Sequence, residues 1–362
     1  MSEGKQGRKL RLNYDFVPSL VAIVVGLAFG LIILLISNPA QAGGGFWTIL
    51  TGAFRDLRSF GRVLYFATPI ILTGLSVGFA FKTGLFNIGA SGQFIVGAYA
   101  AVIVGITCPW LGSAHWIVAL LAAFIAGGLW ALIPGLLKAF ANVHEVIASI
   151  MMNYIGMYLV NYLVLQTAYD SLRNQSMPVA ASAIIPKMGL DTLFPRSHAN
   201  GGFFIAVLAV IITYIILNKT TFGYELRAVG FNRHASKYAG INEKHGIVLS
   251  MVIAGALAGL GGGLLYLAGT GKYIKVVDIL AAEGFTGIPV ALLGLSNPIG
   301  ILFAGLFIGY ITVGGDIMQL YDFAPEIIDI IVAVIIYFSA FALIFKGIIQ
   351  RRRNKLGGGK IQ

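Results

Sequence analysis

Apolar runs of membrane-crossing length alternate with short polar interruptions along nearly the whole chain. They cover residues 17–36, 63–81, 85–106, 115–137, 146–165, 203–217 and 247–268, and the final third adds 284–295, 300–314 and 326–345. A helix needs about 20 apolar residues to cross a bilayer. In lipid the backbone must satisfy its own hydrogen bonds, so such runs are helices rather than open strands. The pattern predicts an all-α polytopic membrane protein with about ten transmembrane helices. The run 284–295 is the weak member, because about 12 residues do not cross about 30 Å unaided. It either begins earlier, near 276–282, or is a broken helix lined by protein. Residues 46–62 follow another pattern. Trp47, Phe54 and Phe60 stand against Arg55, Arg58 and Arg62, which predicts an interfacial helix on the outer side.

Charge orients this bundle. Lys5, Arg8, Lys9 and Arg11 precede the first run, and Lys82 and Lys138 sit in two of the interruptions. Lys219, Arg227, Arg233, Lys237 and Lys244 fill the interruption 218–246, and Lys346, Arg351, Arg352 and Arg353 form a basic tail. The positive-inside rule therefore places both termini and the 218–246 loop in the cytoplasm. The chain divides into a tail at 1–16, a membrane domain at 17–345 and a basic tail at 346–362. The longest outer loop, 166–200, is punctuated by Pro178, Pro186 and Pro195. Ala40-Gln41-Ala42 resembles a signal-peptidase site, so a leader cleaved after Ala42 is an alternative. The preceding run exceeds the roughly 7–15 residues of a leader's apolar core, which favours an uncleaved first helix.

With 58% hydrophobic and 11% charged residues in 362, an ordinary soluble domain is excluded. The net charge of +11 does not indicate nucleic acid, because the basic residues cluster at helix ends and tails, where anionic lipid and orientation account for them. Cys108 is the only cysteine, so neither an intrachain disulfide nor a thiolate metal cluster can form. Gly271-Lys272 lacks the preceding glycine and the following Ser or Thr of a phosphate-binding loop, with Tyr266 and Tyr273 at those places. No metal-ligand cluster or nucleophilic triad emerges from His115, His144, His198, His234 and His245, so no cofactor is expected on this chain. Acids lie at the edges of the runs (Glu145, Asp278, Glu283, Asp316, Asp322, Glu326, Asp329), which counts against an ion-coupled secondary carrier.

Several positions stand out. In the 220–246 stretch, Leu226, Val229, Tyr238 and Ile241 interleave with polar residues, as short helices lying flat against a partner would require. Glu145, Ser149 and Asn153 repeat every four residues on one helix face, and Asn87 and Ser91 share another. Such stripes line a polar path or hydrogen-bond to a neighbouring helix; the spacing allows both. Gly255, Gly259 and Gly263 form a small-residue packing face that does not name its partner helix. Pro289 and Pro298 predict breaks near the short run, and broken helices often border translocation paths.

Four blocks carry a family resemblance: KTGLFNIGASGQ at 82–93, HEVIASIMMNY at 144–154, GYELRAVGFN with AGI within 223–241, and EGFTGIPVALLG with NP within 283–298. In this order they resemble ABC importer permeases of the ribose, branched-chain amino acid and nucleoside group, closest to the bacterial nucleoside branch. Many such permeases carry an acid where this chain has Ser91. The resemblance implies a permease subunit in the bacterial plasma membrane, paired with a second, non-identical permease. A cytoplasmic ABC ATPase would hold ATP and Mg, and an extracytoplasmic binding protein or lipoprotein would deliver a nucleoside. It implies ATPase coupling through Glu225, Arg227, Gly230, Asn232, Ala239 and Gly240. Asn87, Ser91, Glu145, Ser149 and Asn153 are then candidates for the substrate path. A ribose-type sugar permease is the alternative.

Overall fold

A computed structural model describes residues 17–340; the basic stretches before and after them lie outside the described residues. Helices α1 (Val17–Ser37) and α2 (Ala42–Thr51) lead through a 3-10 turn into α3 (Leu57–Lys82), α4 (Ala90–Thr107), α5 (His115–Ala141) and α6 (Glu145–Thr167). A small hairpin, β1 (Tyr169–Asp170) with β2 (Gln175–Ser176), and the single turn α7 (Leu190–Leu193) precede α8 (Gly202–Lys219). Two short helices, α9 (Thr221–Phe231) and α10 (Arg233–Tyr238), are followed by α11 (Glu243–Tyr266), α12 (Ala282–Leu293), α13 (Pro298–Met318) and α14 (Pro325–Ala340).

Seven of these, α3, α4, α5, α6, α8, α11 and α13, are long and apolar enough to cross a membrane, so the chain is a multi-pass membrane protein. α12 and the apolar part of α1 (Ile23–Ser37) are shorter. The described residues thus give seven clear spans where the sequence predicts about ten; the last predicted run continues past Ala340, outside the described residues. α1 is nonetheless integrated into the bundle, with Gly30 against Ile331 of α14 and Leu34 fully buried.

Two expectations need correction, and a third resolves between its two readings. Residues 46–62 are not one interfacial helix: α2 stops at Thr51, and Asp56 caps a new helix by accepting a hydrogen bond from the Ser59 N–H at 2.5 Å. That bond holds the Asp56 carboxyl below its usual pKa. Arg62 therefore belongs to α3, paired at 2.5 Å with Asp316 of α13. The third run starts at Ala90 rather than 85, because Gly84, at φ +74°, turns the chain out of α3 and residues 85–87 run on without helix. The short run is a broken helix, the second of its two predicted readings. α12 spans only Ala282–Leu293, after a non-helical approach at 272–281.

α11 is the hub, packing on α5, α4 and α3. Its glycine face finds its partner in α5: a Cβ on Gly127 would lie 2.7 Å from the Gly259 Cα. Gly97 of α4 touches the same Gly259 backbone, so three helices meet where no side chain fits. One end of the bundle gathers the basic turns. Here Leu85, Ala139, Val229, Ile247 and Met251 form one buried cluster. The other end is closed by residues 166–200, which form a pinned cap rather than a free loop. Ser176 donates to the Ile274 carbonyl at 2.8 Å, and Ile185 donates to that of Leu267 at 3.0 Å. Buried His115 bridges Ser182 and the Val104 carbonyl at 2.8 and 2.9 Å.

Candidate coupling surface and substrate path

At the basic end, Thr220 accepts a hydrogen bond from the Gly223 N–H at 3.0 Å and starts α9. Asn232 ends α9 and starts α10: its N–H donates to the Ala228 carbonyl, while its Oδ1 accepts from the Ala235 N–H, both at 3.0 Å. One exposed asparagine thereby fixes the angle between the two helices. Gly240, at φ +82°, closes α10, with Ile241 N–H returning to the Ser236 carbonyl at 3.0 Å. Asn242 caps α11, and Arg233 pairs with Glu243 at 3.2 Å across the turn.

The inner side of this pair is anchored to the bundle itself. Leu226 and Val229 are buried, and a Cβ on Gly230 would meet the backbone of residues 82–84 at 2.8–2.9 Å. Thr83 also hydrogen-bonds Ser250 of α11. Leu226, Val229 and the half-buried Ile241 therefore face the chain's own core, and of the four interleaved residues only Tyr238 points outward. The outer side carries Tyr224, Phe231 (90% exposed) and Tyr238 (95% exposed), with Glu225, Asn232 and Ala239 beside them. Between α9 and α10 runs a shallow cavity of about 560 Å³ lined by Tyr224, Glu225, Ala228, Phe231 and Asn232. Arg227 is half-buried, its Nε donating to the Gly223 carbonyl at 3.4 Å. The aromatic pair Tyr224 and Phe231 was not singled out from sequence; their spacing of seven on a short charged helix is the signal that was there.

The polar stripes fall elsewhere. Asn87, Ser91, Ser149 and Asn153 are each at most 1% exposed. Asn87 donates to Ser76 Oγ at 3.0 Å and to Gln93 Oε1 at 2.8 Å, and Gln93 returns a hydrogen bond at 2.9 Å. Asn153 accepts from the Gly92 N–H at 2.8 Å and donates to the Ile88 carbonyl at 3.0 Å. Ser91 donates to the Ala281 carbonyl at 2.8 Å. Together they tie α4 to α3, α6 and the start of α12, which is the neighbour-helix alternative left open by their spacing. Only the Ser149 hydroxyl in this knot is buried without a partner. Glu145 is apart from them, paired with Lys138 at 2.7 Å across the α5–α6 link.

A second cavity lies at the other end of the spans, beside the non-helical approach to α12. It measures about 410 Å³ and opens between Ile95 of α4, Met157 and Asn161 of α6, Tyr266 of α11 and residues 271–283. Asn161 donates to the Val277 carbonyl at 3.0 Å and to Asp278 at 3.1 Å, and Lys272 pairs with Glu283 at 2.6 Å. Among the described residues no group of three His, Cys, Asp or Glu side chains could hold a metal.

Comparison with known proteins gives this geometry its context. A family model described as a branched-chain amino acid transport system permease component matches residues 59–340. The guanosine ABC transporter permease protein NupP of Bacillus subtilis is 41% identical over 95% of this chain and 98% of its own. The nucleoside ABC transporter permease protein NupB of Lactococcus lactis is 36% identical over 92% of this chain and 93% of its own. The glucose ABC transporter permease protein TsgB13 of Haloferax volcanii is 32% identical over 90% and 87%. No solved structure matches. A match across nearly all the described helices, with relatives that run the same length, places the chain in the permease family of ABC transport systems.

Proposed function

We propose that this chain is the membrane-spanning subunit of an ATP-driven nucleoside importer in the bacterial plasma membrane. The carrying observation is end-to-end similarity to two permeases named for guanosine and nucleoside transport. The sugar alternative has the glucose permease behind it, at lower identity. The chain is a transport component and not an enzyme. ATP and Mg reside on a separate cytoplasmic ATPase, a second permease completes the path, and an external binding protein or lipoprotein delivers substrate. In this reading the bundle has ten spans with both termini and the basic end in the cytoplasm, supported by the concentration of Lys and Arg there. Outer loop 166–200 then faces the binding protein.

The ATPase takes the outer side of α9 and α10. Glu225, Asn232 and Ala239 offer polar and backbone contacts, Tyr224 and Phe231 the apolar anchors, while Arg227, Gly230 and Gly240 hold the helices in shape. Gly230 against residues 82–84 and Thr83 against Ser250 give loop movement a rigid route into α3, α4 and α11. ATP-driven closure of the ATPases tilts the bundle only through contacts that differ between its two states, and these contacts are the ones available.

Uptake of labelled guanosine and of ribose, in cells with and without the gene, tests the reading. The expected result is gene-dependent guanosine uptake that persists when an ionophore collapses ion gradients while ATP is maintained. Gene-dependent ribose uptake alone would establish the sugar alternative, and ionophore-sensitive uptake would overturn ATP drive. Arg227→Ala with Phe231→Ala should abolish ATPase co-purification at unchanged membrane abundance.

A further inference from the structure

We propose that the tyrosine face of α6, formed by Tyr154, Tyr158 and Tyr162, borders the translocation path and stacks on the base of a passing nucleoside. This specificity role rests on the nucleoside-importer reading. The three residues recur every four positions and share one face, 47%, 55% and 59% exposed respectively. None of their hydroxyls has a hydrogen-bond partner among the described residues.

Depth makes this unusual. At about 1.5 Å per residue, Tyr158 lies roughly 20 Å along α6 from Glu145, inside a hydrocarbon layer of about 30 Å. Tyrosines that anchor a helix in lipid sit at the two interfaces rather than along its middle. A phenol hydroxyl facing hydrocarbon without a partner is costly. Two other open helices, α5 and α8, follow the rule. On α5 the large exposed hydrophobic side chains include Leu121, Phe124, Ile125, Leu129, Ile133 and Leu136, and on α8 they are Phe204, Leu208, Ile211, Ile212 and Ile215. Those faces suit lipid. The α6 face suits water or a polar ligand.

Along the helix the face leads towards the 410 Å³ cavity, to which α6 contributes Met157 and Asn161. Asn161 lines that cavity and stands three positions after Tyr158 and seven after Tyr154, on the same side of the helix. The cavity's opposite wall is the non-helical segment 271–281, which descends far enough for Ala281 to accept a hydrogen bond from Ser91 near the start of α4. Irregular backbone at membrane depth is tolerated where it is buried in protein or lines a wet cavity. Lys272 and Glu283 of the lining are paired with each other, while exposed Lys275 also lines the cavity and Asp278 sits beside Asn161. A ladder of π faces with hydroxyl rims matches a planar, uncharged base carrying a polar sugar.

The test uses the assembled transporter, this chain with its partner subunits, and labelled guanosine. Replacing Tyr154 and Tyr158 together by Leu should cut uptake about tenfold or more, given the energies of base–aromatic stacking. The Tyr→Phe pair, which keeps the rings, should restore most of it. Membrane abundance and co-purification of the second permease should stay unchanged. Wild-type uptake in the leucine variant overturns the proposal, as does loss of the second permease from it, since the face would then be a subunit contact. Absence of guanosine uptake by the unsubstituted transporter would instead remove the importer reading, and this proposal with it.

Discussion

The side of α6 that faces α4 carries Ser149, Asn153, Gly156 and Val160, all buried, and every polar group there except the Ser149 hydroxyl is hydrogen-bonded. The side turned away carries Met151, Tyr154, Ile155, Tyr158 and Tyr162, all exposed. Polarity alone would pick the first side for a path. The proposed path takes the second, on the argument that a satisfied polar group inside a packed helix pair is already committed, whereas an unsatisfied one on an open face is available. The lesson is that in a membrane protein the informative polar residue is the one whose partner is missing from its own chain.

Substitutions on the two sides should therefore separate folding from transport. The largest effect is expected from Gly92→Leu. A Cβ there would lie 2.8 Å from the Asn153 Cα and 2.9 Å from the Met152 carbonyl oxygen, so α4 and α6 must part. The overpacking should cost about 3 kcal/mol or more, read as loss of folded protein from the membrane. Asn153→Ala strands the Gly92 N–H and the Ile88 carbonyl. It should lower stability by about 1–3 kcal/mol in a thermal melt of the purified transporter. Tyr158→Leu inverts the pattern, with stability within about 0.5 kcal/mol of the parent and guanosine uptake clearly reduced. The smallest effect belongs to Leu159→Ala, on the edge of the open face away from Asn161, which should leave both readouts nearly unchanged. If Tyr158→Leu destabilised as much as Asn153→Ala, the distinction between the two sides would collapse.

Much of the architecture was legible because apolar length and glycine spacing are strong signals. The spans around 115–137, 146–165 and 203–217 appear within a few residues of α5, α6 and α8, and the short run 284–295 was recognised as anomalous. The two helices of the 220–246 stretch were expected, but the inward anchoring of Leu226 and Val229 was not. An apolar residue on a short helix reads the same whether it meets a partner or its own bundle. The start of α4 was misplaced because residues 85–89 are apolar enough to extend a run, while their conformation is set by Gly84 and by Asn87 bonding inward. The cap over 166–200 was invisible because its order comes from backbone pairing with residues 267 and 274, about a hundred positions away. The tyrosines stood at a regular spacing, yet only the burial of the opposite side gave that spacing a meaning.

The most direct measurement compares water access on two open faces at matched depth. Cys108 is the only cysteine, so a Cys108→Ser background permits single thiols at Tyr158 of α6 and Leu129 of α5. These positions lie roughly 20 and 18 Å from the α5–α6 link by helical rise. A thiol reacts as its thiolate, which requires water. The account predicts that a membrane-impermeant maleimide labels Tyr158→Cys, that guanosine slows this labelling, and that Leu129→Cys stays unlabelled. Equal labelling at both positions, or none at Tyr158→Cys in any state of the ATP cycle, would contradict it.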